Sequence, residues 1–223
     1  MSFHSNLRQQ TMLEAQQLLT IPQLVDGLAG RISRETYVAY LTEAYHHVKH
    51  TVSLMAAAKA RLDSTHGEFK TALDEYIAEE TGHELWILDD IAACGADPVA
   101  ARDSQPRFAT ELMVAFAYDY INRVNPMGFF GMVYVLESTS VLLASRGASS
   151  VQQSLGLPPA AFRYLTSHGA LDQDHMKFFE ALMEKVSLKI DRAAIVHVAK
   201  SMFVLFGNVF RSIPHGEEAS RAA

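Results

Sequence analysis

Residues 167–186 read SHGALDQDHMKFFEALMEKV. His168, Asp172 and His175 follow one another at intervals of four and three, which on an α-helix places them on one face, within about 60°. Leu171, Phe178, Phe179, Leu182 and Val186 form an apolar stripe centred among them, so that face points inward. Asp174, Lys177, Glu180 and Glu184 fall elsewhere. Imidazole nitrogen and carboxylate oxygen suit iron, manganese or zinc. The competing explanation is a buried polar network, because His–Asp pairs on a helix also stabilise structure.

Two further segments carry inward polar residues. A helix predicted over residues 68–94 ends at Gly95, where a left-handed C-cap suits glycine. Its apolar stripe is Phe69, Leu73, Tyr76, Ile77, Ile87, Leu88 and Ile91. Glu80 lies about 20° from the stripe centre, His83 about 75° and Glu79 about 115°. An inward carboxylate costs several kcal/mol unless a cation or donors stand beside it. Glu80 and His83 have the Glu-x-x-His spacing with which bundle helices present ligands to two-metal sites. A surface ion-pair cluster in AEETGHE is the plainer alternative. The third segment, GMVYVLESTSVLLAS, contains Glu137, the only charged side chain between Arg123 and Arg146. A carboxylate inside so apolar a helix must be protonated, paired or bound to metal.

The rest of the chain fits an all-α fold, a single bundle of seven to nine helices over residues 1–223. Short helices are expected over 5–19 and 22–29, within an N-terminal helical region of residues 1–20 and just beyond it. Ser33 can cap a long helix over 34–62. Further helices are expected over 107–123, 128–155, 160–186 and 191–213, with a short turn restarting at Asp97 and Pro98 and a disordered tail at 214–223. No period-two strand is visible.

Composition narrows the function classes. Of 223 residues, 49% are hydrophobic and 20% charged, the pattern of a globular protein. The net charge of -6 provides no diffuse positive field, so neither nucleic acid nor membrane is an expected partner. Residues 124–145 contain Asn125, Pro126, two glycines besides and the central Glu137, a poor composition for crossing a bilayer. Cys94 is the only cysteine, so no internal disulfide forms. The N-terminus has no signal-peptide pattern, which makes a cytoplasmic location the expectation. No P-loop, dinucleotide fingerprint, HExxH or G-x-S-x-G motif is present.

Taken in order, EETGH at 79–83, YVLES at 134–138 and the H-x-x-x-D-x-x-H of 168–175 resemble the haem-oxygenase-like diiron oxidase superfamily. Within it the likeness is to CADD-like and TenA/PqqC-like proteins labelled iron-containing redox enzymes, from about Ile21 onward. The resemblance implies a seven-helix bundle holding two iron ions, with manganese or a mixed iron–manganese pair as alternatives. Dioxygen is the implied co-substrate, and a small organic metabolite is desaturated, cleaved or N-oxygenated. An external electron donor and a homodimer are compatible with it. The implied ligands are Glu80 or Glu79 with His83, then Glu137, His168, Asp172 and His175.

Several features set this chain apart from its relatives. CADD-like proteins that make 4-aminobenzoate consume a tyrosine and a lysine of their own, and Gln23 and Gly147 stand at those places here. N-oxygenating relatives carry an extra carboxylate on the first long core helix, whereas residues 46–62 contain none. His46, His47 and His50 lie there instead, with His47 at the stripe edge and the others further out, so surface or supporting roles are expected. A TenA-type thiaminase needs a nucleophilic cysteine, and Cys94, in a last helical turn, is badly placed. A metal-independent TenA/PqqC-like enzyme and a non-catalytic regulatory helical module are the alternatives to a diiron oxidase.

Overall fold

The computed structural model describes residues 2–216; positions 217–223, most of the expected tail, lie outside them. Among the described residues every regular element is helical. In chain order these are α1 (Phe3–Gln10), α2 (Met12–Leu18), α3 (Pro22–Leu28), α4 (Arg34–Val48), α5 (Thr51–Arg61) and α6 (Gly67–Glu80). They continue with α7 (His83–Ala93), α8 (Pro98–Asp103), α9 (Phe108–Asp119), α10 (Phe129–Leu155), α11 (Arg163–Met183) and α12 (Lys189–Ser212). The predicted cap at Ser33 holds, its Oγ accepting from the Thr36 amide at 3.1 Å, and Asp97, where a short turn was expected to restart, caps α8 by accepting from the Val99 and Ala100 amides.

Two helices expected to run unbroken are each divided. The one predicted over 34–62 parts at Lys49 and His50, where the His50 amide bonds back only three residues, to His47. The β-branched residues Val48, Thr51 and Val52 crowd this turn and lower its helical preference. The one predicted over 68–94 parts after Glu80. Thr81 is extended there, and Gly82 takes φ +93°, a left-handed backbone that only glycine adopts without strain. Glu80 and His83 therefore end one helix and begin the next.

The apolar interior forms two clusters. The first gathers Tyr76 of α6, Val135 of α10 and Phe179 of α11; the second gathers Ile87 of α7, Ala148 of α10 and the buried Phe162 just before α11. Along α6–α7, α10 and α11 alike, the chain passes from one cluster to the other. The residues at each crossing are Glu80 and His83, Glu137, and His168 to His175. The polar residues singled out by the sequence thus share a seam between two apolar cores.

Packing fixes the long helices at this seam. A Cβ on Gly131 would lie 2.4 Å from the Ile195 carbonyl oxygen, so α10 sits on α12 through bare backbone. Both helices are long and apolar enough to cross a membrane, but 61% and 56% of their most apolar windows are buried in the bundle. They serve as core helices. The start of α11 is held by Asp90 of α7, which is fully buried and accepts from the amides of Arg163 at 3.0 Å and Tyr164 at 2.9 Å. These are helix N-terminal donors that have no partner within their own helix. Asp90→Ala is expected to lower stability by about 1.5–3 kcal/mol in urea unfolding, the range for charged hydrogen bonds, with Asp90→Asn losing less. A loss below about 0.5 kcal/mol in Asp90→Ala would show that this carboxylate is not what holds α11.

Candidate metal centre

Glu80, His83 and His168 form one group, and Glu137, Asp172 and His175 a second. Within each, one potential ligand atom per residue lies within 4.8 Å of the others. Glu80, His83, Asp172 and His175 are buried, and the side chains of Glu137 and His168 are only 11% and 13% exposed. His83 Nδ1 is 3.0 Å from Glu80 Oε2, and the His83 and His168 rings meet edge to face at 5.0 Å. Asp172 Oδ1 lies 3.7 Å from His168 Nδ1 and 3.4 Å from His175 Nδ1, so it touches both groups. His175 Nδ1 is also 3.6 Å from Glu137 Oε1.

Three potential donor atoms are sealed from solvent without a hydrogen-bond partner: Glu137 Oε2, His168 Nε2 and His175 Nδ1. Such atoms are rare in folded proteins and call for a missing partner. Their types, one carboxylate oxygen and two imidazole nitrogens, are those that iron or manganese takes. The donor set therefore fits such ions.

Protons carry the compensating charge in the metal-free state. Burial pushes Glu137 up to about 7. The carboxylates of Asp172 and Glu137 beside its Nδ1 raise His175 to about 11, against the opposing effect of its own burial. Burial likewise opposes the charge on His168, but Asp172 and Glu80 outweigh it and the pKa rises. Asp172 is itself lowered, since contacts with His168, His175 and Ser140 overcome its burial.

Glu79 and Glu80 occupy distinct places. Glu80 is inside the first group, whereas the Glu79 side chain is 58% exposed and its Oε2 reaches His175 Nε2 at 2.8 Å. An outer carboxylate on the far nitrogen of an imidazole is the arrangement that fixes ring orientation at metal sites. Three other neighbours were not assigned to the site by the sequence, although Tyr76 lies on the inward stripe of its helix. Tyr76 has a buried, unpartnered hydroxyl, and its ring lies edge-on to His175 at 5.4 Å. Ser140 Oγ is also buried and unpartnered, and Trp86 stacks on His83 at 3.8 Å. Tyr76 precedes Glu80 by four residues and Ser140 follows Glu137 by three, so helical spacing alone could have found both.

Of the surface or supporting roles expected for the histidines of α4, burial removes the surface one: His46 and His47 are 1% and 4% exposed. Helices α8 and α9 pack over α4, and His46 Nε2 reaches Ser104 Oγ at 2.9 Å. His50 Nδ1 is 3.3 Å from the Tyr118 hydroxyl. None of the three joins either group. His47 instead lines a cavity of about 200 Å³ whose wall also includes Glu80, Glu137, His168 and Asp172. Gln23 and Gly147 line it too, and Cys94 does not. Burial pushes the Cys94 thiol up to about 11, which suits a core residue rather than a nucleophile.

The bundle has the haem-oxygenase-like all-α fold. A domain of unknown function from Shewanella denitrificans, described as having a heme oxygenase-like fold, superimposes with TM-score 0.85 at 26% identity, over 94% of this chain and 90% of that one. A TenA homologue from Pseudomonas syringae has TM-score 0.79 at 11% identity, covering 98% and 93%, and so shares the fold. A 4-aminobenzoate synthase of Chlamydia trachomatis is 24% identical over 178 residues, 78% of this chain and 76% of its own length. The profile described as iron-containing redox enzyme matches residues 38–205, and the chain belongs to that family.

Glu80→Gln is expected to weaken Mn(II) binding far more than Glu79→Gln, for which the loss should stay within about 10–100-fold. Chelator competition with both variants measures this. Equal losses would place Glu79 among the ligands.

Proposed function

We propose that the chain is a non-haem diiron oxidase that uses dioxygen to oxidise a small organic metabolite. Glu80, His83 and His168 would hold one iron, and Glu137, Asp172 and His175 the other, with Asp172 in reach of both. The three sealed donor atoms left without a partner carry this reading most strongly. Manganese or a mixed pair satisfies the same ligands, since nitrogen and oxygen donors do not separate the two metals.

Iron bound there would supply the redox chemistry, activating dioxygen and oxidising the substrate. The protein's own residues hold and shield it. Glu79 accepts from the outer nitrogen of His175 and sets the ring's orientation. The apolar wall of the adjoining cavity excludes water from the substrate. Desaturation, carbon–carbon cleavage and N-oxygenation are the reaction classes compatible with this arrangement, and an external electron donor is expected where the substrate supplies too few electrons. Self-consuming synthesis of 4-aminobenzoate is not part of the proposal. The two cavity-wall positions that would carry the tyrosine and lysine are Gln23 and Gly147.

Anaerobic loading should give about two Fe(II) per chain, and mixing with oxygenated buffer should consume dioxygen with a transient visible absorption. His175→Ala should lower the metal content and abolish dioxygen consumption while leaving the helical circular dichroism intact. An unchanged metal content in that variant would sink the ligand assignment. The proton balance gives a separate test. His175, raised to about 11, is protonated at neutral pH without metal, and Glu137, raised to about 7, is partly so. Both must lose protons to bind an ion. Metal affinity should therefore increase from pH 6 to pH 8, and calorimetry in buffers of different ionisation enthalpy should detect proton release. A pH-independent affinity would show that these two groups are not ligands.

A further inference from the structure

The cavity beside the two groups is bounded by apolar side chains, among them Leu24, Leu28, Met55, Val133, Leu143 and Phe206. No lysine or arginine lines it, and its carboxylates are Glu80, Glu137 and Asp172, all assigned above to metal. An anionic molecule would meet no lysine or arginine in this space, and His168, the basic group of its wall besides His47, already faces Asp172. An ammonium group would compete with the metals for the same carboxylates. Apart from a bound metal ion, nothing in the wall therefore favours either charge type, because an unpaired ion in an apolar site costs several kcal/mol.

Three polar groups of the wall serve the fold. Gln23 donates to the Arg211 and Ile213 carbonyls, Thr36 to the Pro214 carbonyl and Tyr37 to the Ala161 carbonyl. Tyr40, Thr51, Thr139 and Tyr164 are uncharged as well. Ser140 lies beside Asp172, in the metal site. His47 is different. Its ring is 4% exposed, lines the cavity and lies edge-on to Phe206 at 5.9 Å, yet Nδ1 has no hydrogen-bond partner. Burial, reinforced by His50, His168 and His46, pushes it down to about 4, so the imidazole is neutral at physiological pH. A neutral imidazole offers one N–H and one lone pair, complementary to a hydroxyl, amide or uncharged amine. The volume, about 200 Å³, exceeds the roughly 150 Å³ that admits benzene, and so suits one substituted ring or a short chain.

We propose that the cavity binds an uncharged molecule with an apolar body, held through a hydroxyl, amide or amine group by His47, which acts as a specificity-determining residue. Calling this molecule the substrate rests on the diiron reading; its binding does not.

Isothermal titration calorimetry with 4-ethylphenol, ethylbenzene and 4-ethylbenzoate tests this on Mn(II)-loaded and metal-free protein. In both forms 4-ethylphenol should bind about tenfold more tightly than ethylbenzene, the advantage of one hydrogen bond. In the metal-free form, where no ion can capture a carboxylate, 4-ethylbenzoate should bind most weakly. His47→Leu should remove the phenol's advantage and retain ethylbenzene binding, while His47→Gln restores part of the advantage. Gly27→Phe should block all three probes, since a side chain there projects from the cavity wall with nothing within 4 Å of its Cβ. The proposal is overturned by benzoate binding as tightly as phenol in the metal-free protein, or by no probe binding. It is equally overturned if the phenol's advantage persists in His47→Leu. Should His47→Leu not fold, the wild-type charge series and the Gln variant decide. Metal content of the same preparations separates the two readings. Two ions per chain without probe preference ends this proposal alone, and probe preference without metal ends the diiron reading alone.

Discussion

Burial of three carboxylates and three imidazoles in one seam is the constraint on which the rest of the structure depends. Each ionised carboxylate taken from water costs several kcal/mol unless positive charge meets it at close range. Two arrangements satisfy that demand. In one, imidazolium protons on His175 and His168 face Asp172, Glu137 and Glu80; in the other, cations replace those protons. The proton arrangement is incomplete, because Glu137 Oε2, His168 Nε2 and His175 Nδ1 remain without hydrogen-bond partners. The cation arrangement would use those same atoms.

The helices around the seam are organised to hold this register. Three of the six residues ride on α11, whose first turn is anchored by Asp90 from α7. A shift of one residue in α11 would turn His168, Asp172 and His175 by about 100° and break both groups. On the opposite side, α10 is seated on α12 at Gly131, which sets the height of Glu137. The left-handed Gly82 lets Glu80 and His83 converge from two separate helices. The fold thus positions the site through a few backbone devices lying outside it.

Much of this was legible in the sequence for a specific reason. On α11 and α10 the polar residues interrupt long, continuous apolar periodicity, so helix phase alone points His168, Asp172, His175 and Glu137 inward. Glu80 could be told from Glu79 in the same way, because both precede the break at Thr81. The break itself was hidden, since one glycine inside a helical pattern is compatible with either continuation or a stop. The cross-helix contact of Glu79 with His175 was equally invisible, as no single-helix wheel contains its partner. The α4 histidines failed for the opposite reason. Their own stripe placed His46 outward, but α8 and α9, distant in sequence, cover that side.

The division of the interior into two apolar clusters bears on what a metal would do here. Each cluster is closed by its own aliphatic and aromatic side chains, and each spans several helices without using the seam residues. The fold therefore has two sources of hydrophobic stabilisation that do not require an ion, unlike small metal-nucleated domains that unfold without one. A purely structural metal would be redundant between such cores, and an apolar seam would be the more stable choice. Buried titratable side chains are instead gathered where α6–α7, α10 and α11 meet, and that place adjoins the cavity. Buried titratable groups concentrated in this way are expected where chemistry, rather than folding, has set the residues. The same reasoning applies to His47, which the fold leaves without a partner for Nδ1 on the wall of that cavity.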